Sequence, residues 1–319
     1  MKRIAVLTSG GDCSGMNACI RSVVRTAVFK GMEVVGFLRG YIGLVNNEKV
    51  ILNHRSVSGI INLGGTILKT GRCKEFYTYE GRKLAFENLV KNNIDGLIVI
   101  GGNGSFKGAH LLCKEFGAKV IGIPATIDND ILGTDLSLGA DTAVNVAIDA
   151  LDKIRDTATS LERIFVVEVM GRDCGYIAIQ TALAGGCEEV LIPERDFDII
   201  KICEEITEGN IRGKISWIVI VAEGKAKASD IAKQITQMTG LETRVVVLGH
   251  IQRGGRPTST DRILGARMGN FAVELLVKGY SDIAVGIEHL NLRTISLEEA
   301  TQKRPLYEDE YYKLIKILT

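Results

Sequence analysis

The 319-residue chain has little proline, four residues in all, with a single tryptophan and four histidines. No Pro-rich or Gly/Ser-rich stretch reads as a linker, and no low-complexity tract reads as disordered. Charge of one sign is lacking too: 39 basic residues against 38 acidic ones leave a net charge of +1. Bulk electrostatics therefore selects neither nucleic acid nor an acidic surface, and any anion site must be local. Seven cysteines, at 13, 19, 73, 113, 174, 187 and 203, form no CxxC and no Cys/His ligand spacing. That excludes a zinc ribbon and reads as thiols in a reducing cytoplasm. No 18-residue apolar window suggests a membrane span, and the apolar run in "MKRIAVLTSGGD" is too short for a signal peptide.

What is present is alternation. Runs rich in β-branched residues begin at Arg3, Glu33, Gly96, Lys119, Arg163, Glu189, Trp217, Arg244 and Ala284. Most are continuously apolar, as strands buried on both faces of a parallel sheet read. Amphipathic helices lie between them. Met16, Ile20, Val23, Val24 and Ala27 share one face; Val144, Ala147, Ile148, Leu151 and Ile154 share another. Strands alternating with helices along the whole chain predict an α/β fold of doubly wound, mostly parallel sheets. The length suits two domains, and a boundary is expected near residue 140, where helical segments flank "LGADTA".

Glycine is abundant where strands end. Gly-Gly pairs stand at 10–11, 64–65, 101–102, 185–186 and 254–255. In open α/β sheets ligands bind at the carboxyl ends of strands, where glycine lets backbone N–H groups approach an anion. Tight turns alone would also use such pairs. "TSGGDCSGMNACIR", from Thr8, runs strand, glycine turn, helix. It is neither a Walker loop nor GxGxxG, so a phosphate loop of another kind is open. Arg21 and Arg25 lie one turn apart on that helix, either as a solvated face or as a pocket for a second phosphate ligand.

"PATIDNDI", Pro124–Ile131, spaces Asp128 and Asp130 by one residue, so an extended loop would point both carboxylates the same way. One acid could serve as general base and the other lie near a metal-bound phosphate, while an Asx-rich turn is the structural alternative. "EVMGRDCG" and "LGHIQRGGRP" end further strands with Arg172, and with His250 and Arg253. Strand ends bearing Gly, Asp and Arg are the inventory of phosphoryl transfer between small molecules.

These motifs, together with "GGTIL", "GGNGS" and "AGGCE", resemble in family order the bacterial ATP-dependent 6-phosphofructokinases over nearly the whole chain. The resemblance implies an ATP-binding domain of residues 1–138 plus 252–304 and a fructose 6-phosphate-binding domain of 139–251 plus 305–319. It implies Asp128 as the base toward the sugar 1-hydroxyl, Thr126 and Asp130 beside the transferring phosphate, and Arg172 stabilising the transition state. Gly11, Arg72, Cys73, Gly102, Asn103, Gly104, Ser105 and Gly108 would bind ATP, with Mg²⁺ held by Asn103 and Asp130. Met170, Gly171, Glu223, His250 and Arg253 would hold fructose 6-phosphate. Arg163 and Arg244 would reach it from a neighbouring subunit of a homotetramer. Arg21, Arg25, His54, Arg155, Glu188, Arg212 and Lys214 match an effector pocket for ADP or phosphoenolpyruvate. The implied protein is a cytoplasmic, allosterically regulated glycolytic enzyme.

The chain departs from that pattern at several positions. Asn103 stands where the family has an aspartate on magnesium, which raises the alternative of a catalytically weak regulatory or binding paralogue. His54 replaces an effector-site arginine, Leu161 a common histidine, and Cys13-Ser14 the usual Ala-Pro of the first loop. In pyrophosphate-dependent relatives an aspartate follows the metal ligand and a lysine precedes the Thr-Ile-Asp-Asn-Asp motif. Gly104 and Ala125 occupy those places here, so ATP is the expected donor.

Overall fold

In the computed structural model, which describes residues 1–302, 304 and 309–319, the strands are β1 (Arg3–Ser9), β2 (Glu33–Phe37), β3 (Lys49–Leu52), β4 (Gly96–Gly101), β5 (Val120–Pro124), β6 (Ile164–Val169), β7 (Glu189–Leu191), β8 (Trp217–Ala222), β9 (Thr243–Val247), β10 (Ile283–Glu288) and β11 (Asn291–Ser296). The helices are α1 (Met16–Phe29), α2 (Tyr41–Val45), α3 (Tyr79–Lys91), α4 (Asn103–Phe116), α5 (Ala140–Leu161), α6 (Tyr176–Gly185), α7 (Ile199–Ile211), α8 (Ala228–Thr239), α9 (Ser259–Val277), α10 (Leu297–Ala300) and α11 (Asp309–Leu318).

The chain forms two compact units. The first comprises Met1–Thr142 and Arg253–Arg304; the second comprises Ala143–Gln252 and the described part of residues 305–319. The second return of the chain, expected at residue 305, lies outside the described residues.

In the first unit the described strands form one sheet in the order β11-β10-β5-β4-β1-β2-β3. Its interior pairs are parallel, and the outer strands β3 and β11 are antiparallel to their neighbours. β1 and β4 are each followed by a helix and then by the strand on their outer side, so the winding reverses between them. That switch point is where open sheets bind ligands. The register there is close: Ser9 lies opposite Gly101, and Gly101 opposite Pro124. Three loops therefore leave the sheet side by side. Leu7, Phe37, Leu97, Val99, Phe106 and Leu112 are fully buried in the core beneath them. Each contributes on the order of 1.5–3 kcal/mol by leaving water.

In the second unit the order is β7-β8-β6-β9, all parallel. Val166, Val219, Val221, Ile206, Ile231 and Ile235 make the core between this sheet and α7 and α8. Asp198 caps α7, accepting from Ile200 N–H at 2.9 Å. At the strand ends, Val169 pairs with Ala222, and Leu248 N–H donates to Glu168 O at 3.0 Å.

Met16, Ile20, Val23, Val24 and Ala27 of α1 are buried, as their spacing predicts. One expectation fails beside "LGADTA". No helix precedes it, and residues 126–139 form turns and isolated bridges. Asn129 (φ 49°), Gly133 (φ 81°) and Gly139 (φ 92°) take left-handed backbone. Ser137 donates both its N–H, at 2.8 Å, and its hydroxyl, at 3.1 Å, to Asn129 Oδ1. Side chains that satisfy the backbone locally compete with helix formation.

Candidate active site

Three loops in the first unit carry the candidate residues of the site. The first, Gly10–Gly15, leads from β1 into α1. Gly10 has φ 92°, which only glycine adopts without strain. At Gly11 a side chain would collide with the Arg253 guanidinium, which donates to Asp12 O at 3.3 Å. The Cys13-Ser14 pair ties this loop down: Cys13 Sγ–H donates to Leu138 O at 3.1 Å, and Ser14 Oγ–H to Gly255 O at 2.8 Å. A β-carbon at Gly64 would meet Gly255 O, and Asn17 Nδ2 donates to both Leu63 and Gly64 O at 3.1 Å. Three of the five glycine pairs thus gather around the start of α1.

The second loop is the "GGNGS" turn into α4. At Gly101 a β-carbon would lie 2.6 Å from both Ser9 O and Ser105 Oγ, which explains the glycine by packing alone. Gly104 faces open space. The first turns of α1 and α4 contain no acidic residue, so their backbone donors are unopposed by negative charge. Gly108 is packed against Phe76, which stacks on Tyr41 with ring centroids 3.8 Å apart. Beside this stack a cavity of about 310 Å³ is lined by Ile42, Asn46, Arg72, Cys73 and Glu75.

The third loop holds Thr126, Asp128 and Asp130, all half-buried, while Ala125, Ile127 and Asn129 between them are buried. The alternation suits two carboxylates turned toward solvent. The backbone is a turn, with Asn129 left-handed, and not the extended run expected from spacing. Asp128 N–H meets Thr126 Oγ1 at 3.3 Å, and Arg304 Nη1 donates to Asn129 O at 2.8 Å. Asn103 Nδ2 donates to Asp130 Oδ2 at 2.8 Å, while Asn103 Oδ1 is buried with no hydrogen-bond partner. An orphaned oxygen beside a carboxylate is a donor set that suits a hard divalent cation. Among the described residues no group of three His, Cys, Asp or Glu side chains could hold one. Water or a ligand's oxygens would complete the shell.

In the second unit, Met170–Arg172 follows β6 and Glu223 follows β8. Gly171 (φ 139°) accepts Gly224 N–H at 3.1 Å. A β-carbon at Gly224 would collide with Arg172 O, so the two strand-end loops touch. Arg172, Glu223 and His250 are exposed; Met170 is buried, with its N–H on Gln252 Oε1 at 3.2 Å. Arg163 and Arg244 converge on one carboxylate. Arg163 Nε donates to Glu242 Oε2 at 2.8 Å, and Arg244 pairs with Glu242 Oε1.

The effector candidates fall in both units. On α1, Arg21 and Arg25 are half-buried, and Arg25 Nε is buried without a partner. His54 is exposed in the turn after β3. In the second unit Arg155 donates to Gly185 O and, at 2.8 Å, to Gly186 O. Glu188, 7% exposed, lies 3.2 Å from Lys214. Arg212 instead pairs with Glu208 along α7, at 3.1 Å.

Three further residues went unmarked in the sequence reading. Glu242 joins the two arginines. Trp217 lies under Lys214, 4.6 Å from ring centroid to Nζ. Asp261, on α9, is fully buried and accepts Gly139 N–H at 2.8 Å and Thr142 N–H at 2.9 Å, capping α5 from outside. No local pattern announces the tie of Glu242 to Arg163 or of Asp261 to Gly139 and Thr142, which join elements far apart in the chain, whereas Trp217 stands only three residues from Lys214.

The fold and the loops at its switch point define a doubly wound α/β protein with glycine-rich loops at its strand ends. Comparison with known proteins narrows the class. The phosphofructokinase family model matches residues 3–276. The chain is 51% identical to an ATP-dependent 6-phosphofructokinase of Halothermothrix orenii and 50% identical to one of Clostridium botulinum, each match covering all of both chains. The phosphofructokinase structure from Saccharomyces cerevisiae superimposes with a TM-score of 0.89 at 35% identity, over 94% of this chain and 45% of that longer one. The chain belongs to the phosphofructokinase family.

Proposed function

We propose that this chain transfers the γ-phosphoryl group of ATP to the 1-hydroxyl of fructose 6-phosphate. The observation that carries the reading is the register of Ser9, Gly101 and Pro124. It delivers two glycine loops and the aspartate loop together at the switch point of a chain half identical to ATP-dependent 6-phosphofructokinases. The Asp128 carboxylate takes the hydroxyl proton as that oxygen attacks the γ-phosphorus. The bond from phosphorus to the β–γ bridging oxygen breaks, and ADP leaves with fructose 1,6-bisphosphate. Thr126 flanks the moving group and Arg172 neutralises its charge.

The first unit would hold the nucleotide through Gly11, Arg72, Cys73, Gly102, Gly104, Ser105 and Gly108. Mg²⁺ fits Asn103 Oδ1 and Asp130, and when bound would neutralise phosphate charge. The second unit would hold the sugar phosphate through Met170, Gly171, Glu223 and His250. The open space at Gly104 and the small, buried Ala125 support ATP over pyrophosphate as donor. Retention of Asp128, Asp130 and Arg172 supports an active enzyme over a weak paralogue.

Exposed Leu161, Val245 and Val247, beside Arg163 and Arg244 at the β9 edge, support a second copy covering that edge. We take the assembly to be a homotetramer in which these arginines reach a neighbour's sugar phosphate. The unpartnered Arg25 Nε supports an anionic effector, ADP or phosphoenolpyruvate, at α1. Thiols without disulfides among the described residues suit a cytoplasmic enzyme, and no described helix is long and apolar enough to cross a membrane. A coupled assay with ATP or pyrophosphate, with and without fructose 6-phosphate, tests the reading. Turnover should require ATP and the sugar phosphate together. Turnover with pyrophosphate, or none with either donor, overturns it.

A further inference from the structure

We infer that Asn103 is a neutral latch that holds Asp130 in place before any cation arrives, so that this chain takes up divalent metal with its nucleotide and not alone. The inference rests on the proposed reading only for the identity of that nucleotide. Its own basis is the pair itself. Asn103 Nδ2 donates to Asp130 Oδ2 at 2.8 Å, and the other end of the amide, Oδ1, is buried and unpartnered. The opposite amide orientation would set two oxygens against each other, so the observed one is the stable one.

A carboxylate at position 103 would behave differently. It would place two carboxylates at hydrogen-bonding distance, where they repel each other unless a cation lies between them. Such a pair waits for metal. The amide removes that need, because Asp130 is already oriented by an N–H donor. The same substitution weakens the site for a free ion: the pair offers two oxygens and one negative charge, and no cluster of three ligating side chains stands among the described residues. Hard divalent cations want about six oxygens, and their affinity rises with ligand charge. Water can fill coordination places but brings no charge, so the missing negative charge must arrive as phosphate.

The test compares wild type with Asn103→Asp and Asn103→Ala without nucleotide, using Mn²⁺ titration followed by electron paramagnetic resonance, and thermal unfolding in EDTA or Mg²⁺. Asn103→Asp should bind Mn²⁺ at least about tenfold more tightly than wild type. It should melt lower than wild type in EDTA and recover with Mg²⁺, whereas the wild-type melting temperature should not respond to Mg²⁺ alone. Equal Mn²⁺ affinities, or equal melting temperatures in EDTA, overturn the latch. Should Asn103→Asp not fold under either condition, Asn103→Ala decides. Having lost the hydrogen bond without gaining a charge, it should melt lower by the same amount in EDTA and in Mg²⁺; a melting temperature equal to wild type refutes the inference. None of these readouts uses turnover, so a failed coupled assay would overturn the reaction and leave this result standing.

Discussion

Asp261 gives the sharpest quantitative test of the fold around the site. It is fully buried on α9, yet it accepts the N–H of Gly139, the N–H of Thr142 and the Thr142 hydroxyl at the start of α5. Those donors and the helix dipole favour the anion, while burial favours the neutral acid. Burial dominates: the carboxyl is pushed from its ordinary 3.8 up to about 6, with the Thr142 and Gly139 hydrogen bonds opposing. The folded chain therefore keeps this proton to a higher pH than the unfolded chain does. Between about pH 4 and pH 6 the folded state binds more protons, so stability falls as pH rises, and it levels off above the folded pKa. At 1.36 kcal/mol per pKa unit, the fall is about 3 kcal/mol.

Asp261→Asn keeps the shape and cannot ionise, so it isolates the charge. We expect urea unfolding of both proteins, at one fixed chain concentration from pH 4 to pH 7.5, to show a difference that depends on pH. Wild type should lose about 2.4 kcal/mol of that total relative to the variant from pH 4 upward, since every other carboxylate is common to both. A difference that stays constant with pH would show that Asp261 does not titrate there. A wild type that gains stability over the window would mean that three donors and a helix start outweigh burial.

Other expectations bear on the reaction. Asp128→Asn should lower kcat by roughly 10²–10⁴-fold with little change in fructose 6-phosphate affinity; turnover close to wild type would place the base elsewhere. Arg244→Ala should mainly raise the sugar-phosphate KM, since a charge-assisted bond to phosphate is worth about 1.5–3 kcal/mol. Mixing it with Asp128→Asn should restore part of the activity if sites are shared between copies, whereas additive behaviour after proven subunit exchange counts against sharing. Replacing Arg21 and Arg25 together with alanine should abolish responses to ADP or phosphoenolpyruvate at nearly unchanged maximal rate. Effector curves that do not move would return this face to solvent.

Much of this architecture is legible in the sequence because a parallel sheet buries its strands on both faces. β1, β4, β6 and β8 read as unbroken apolar runs for that reason, and they were placed to within a residue or two. β3 and β11 were not, and the cause is physical. Both are antiparallel outer strands: "KVIL" is only four residues long with Val50 and Ile51 exposed, and the polar residues of "NLRTIS" break up any apolar run. The candidate site divides the same way. "GGDCSG", "GGNGS" and "TIDND" are contiguous, so their chemistry can be read from residue type and spacing. Pairings such as Asn103 with Asp130, Arg163 with Glu242 and Thr142 with Asp261 span 27, 79 and 119 positions. Only the register of strands and the packing of α9 bring them together.

A chain with almost no net charge is compatible with the proposed site for highly charged phosphates because the attraction would be local, from helix starts together with arginines such as Arg72 and Arg172. The sheet presents two helix starts side by side, α1 after Gly15 and α4 after Gly102, and neither carries an acid in its first turn. An aspartate at position 103 would have put one there, next to Asp130. Asparagine keeps an oxygen donor at that place while leaving the positive end of α4 unopposed. The cost is a weaker hold on the cation by itself, and the gain is a loop already ordered and less repulsive toward a polyphosphate. A nucleotide that brings its own metal needs no second protein carboxylate to arrive, which makes the neutral residue compatible with catalysis as long as Asp128 and Asp130 keep their charges.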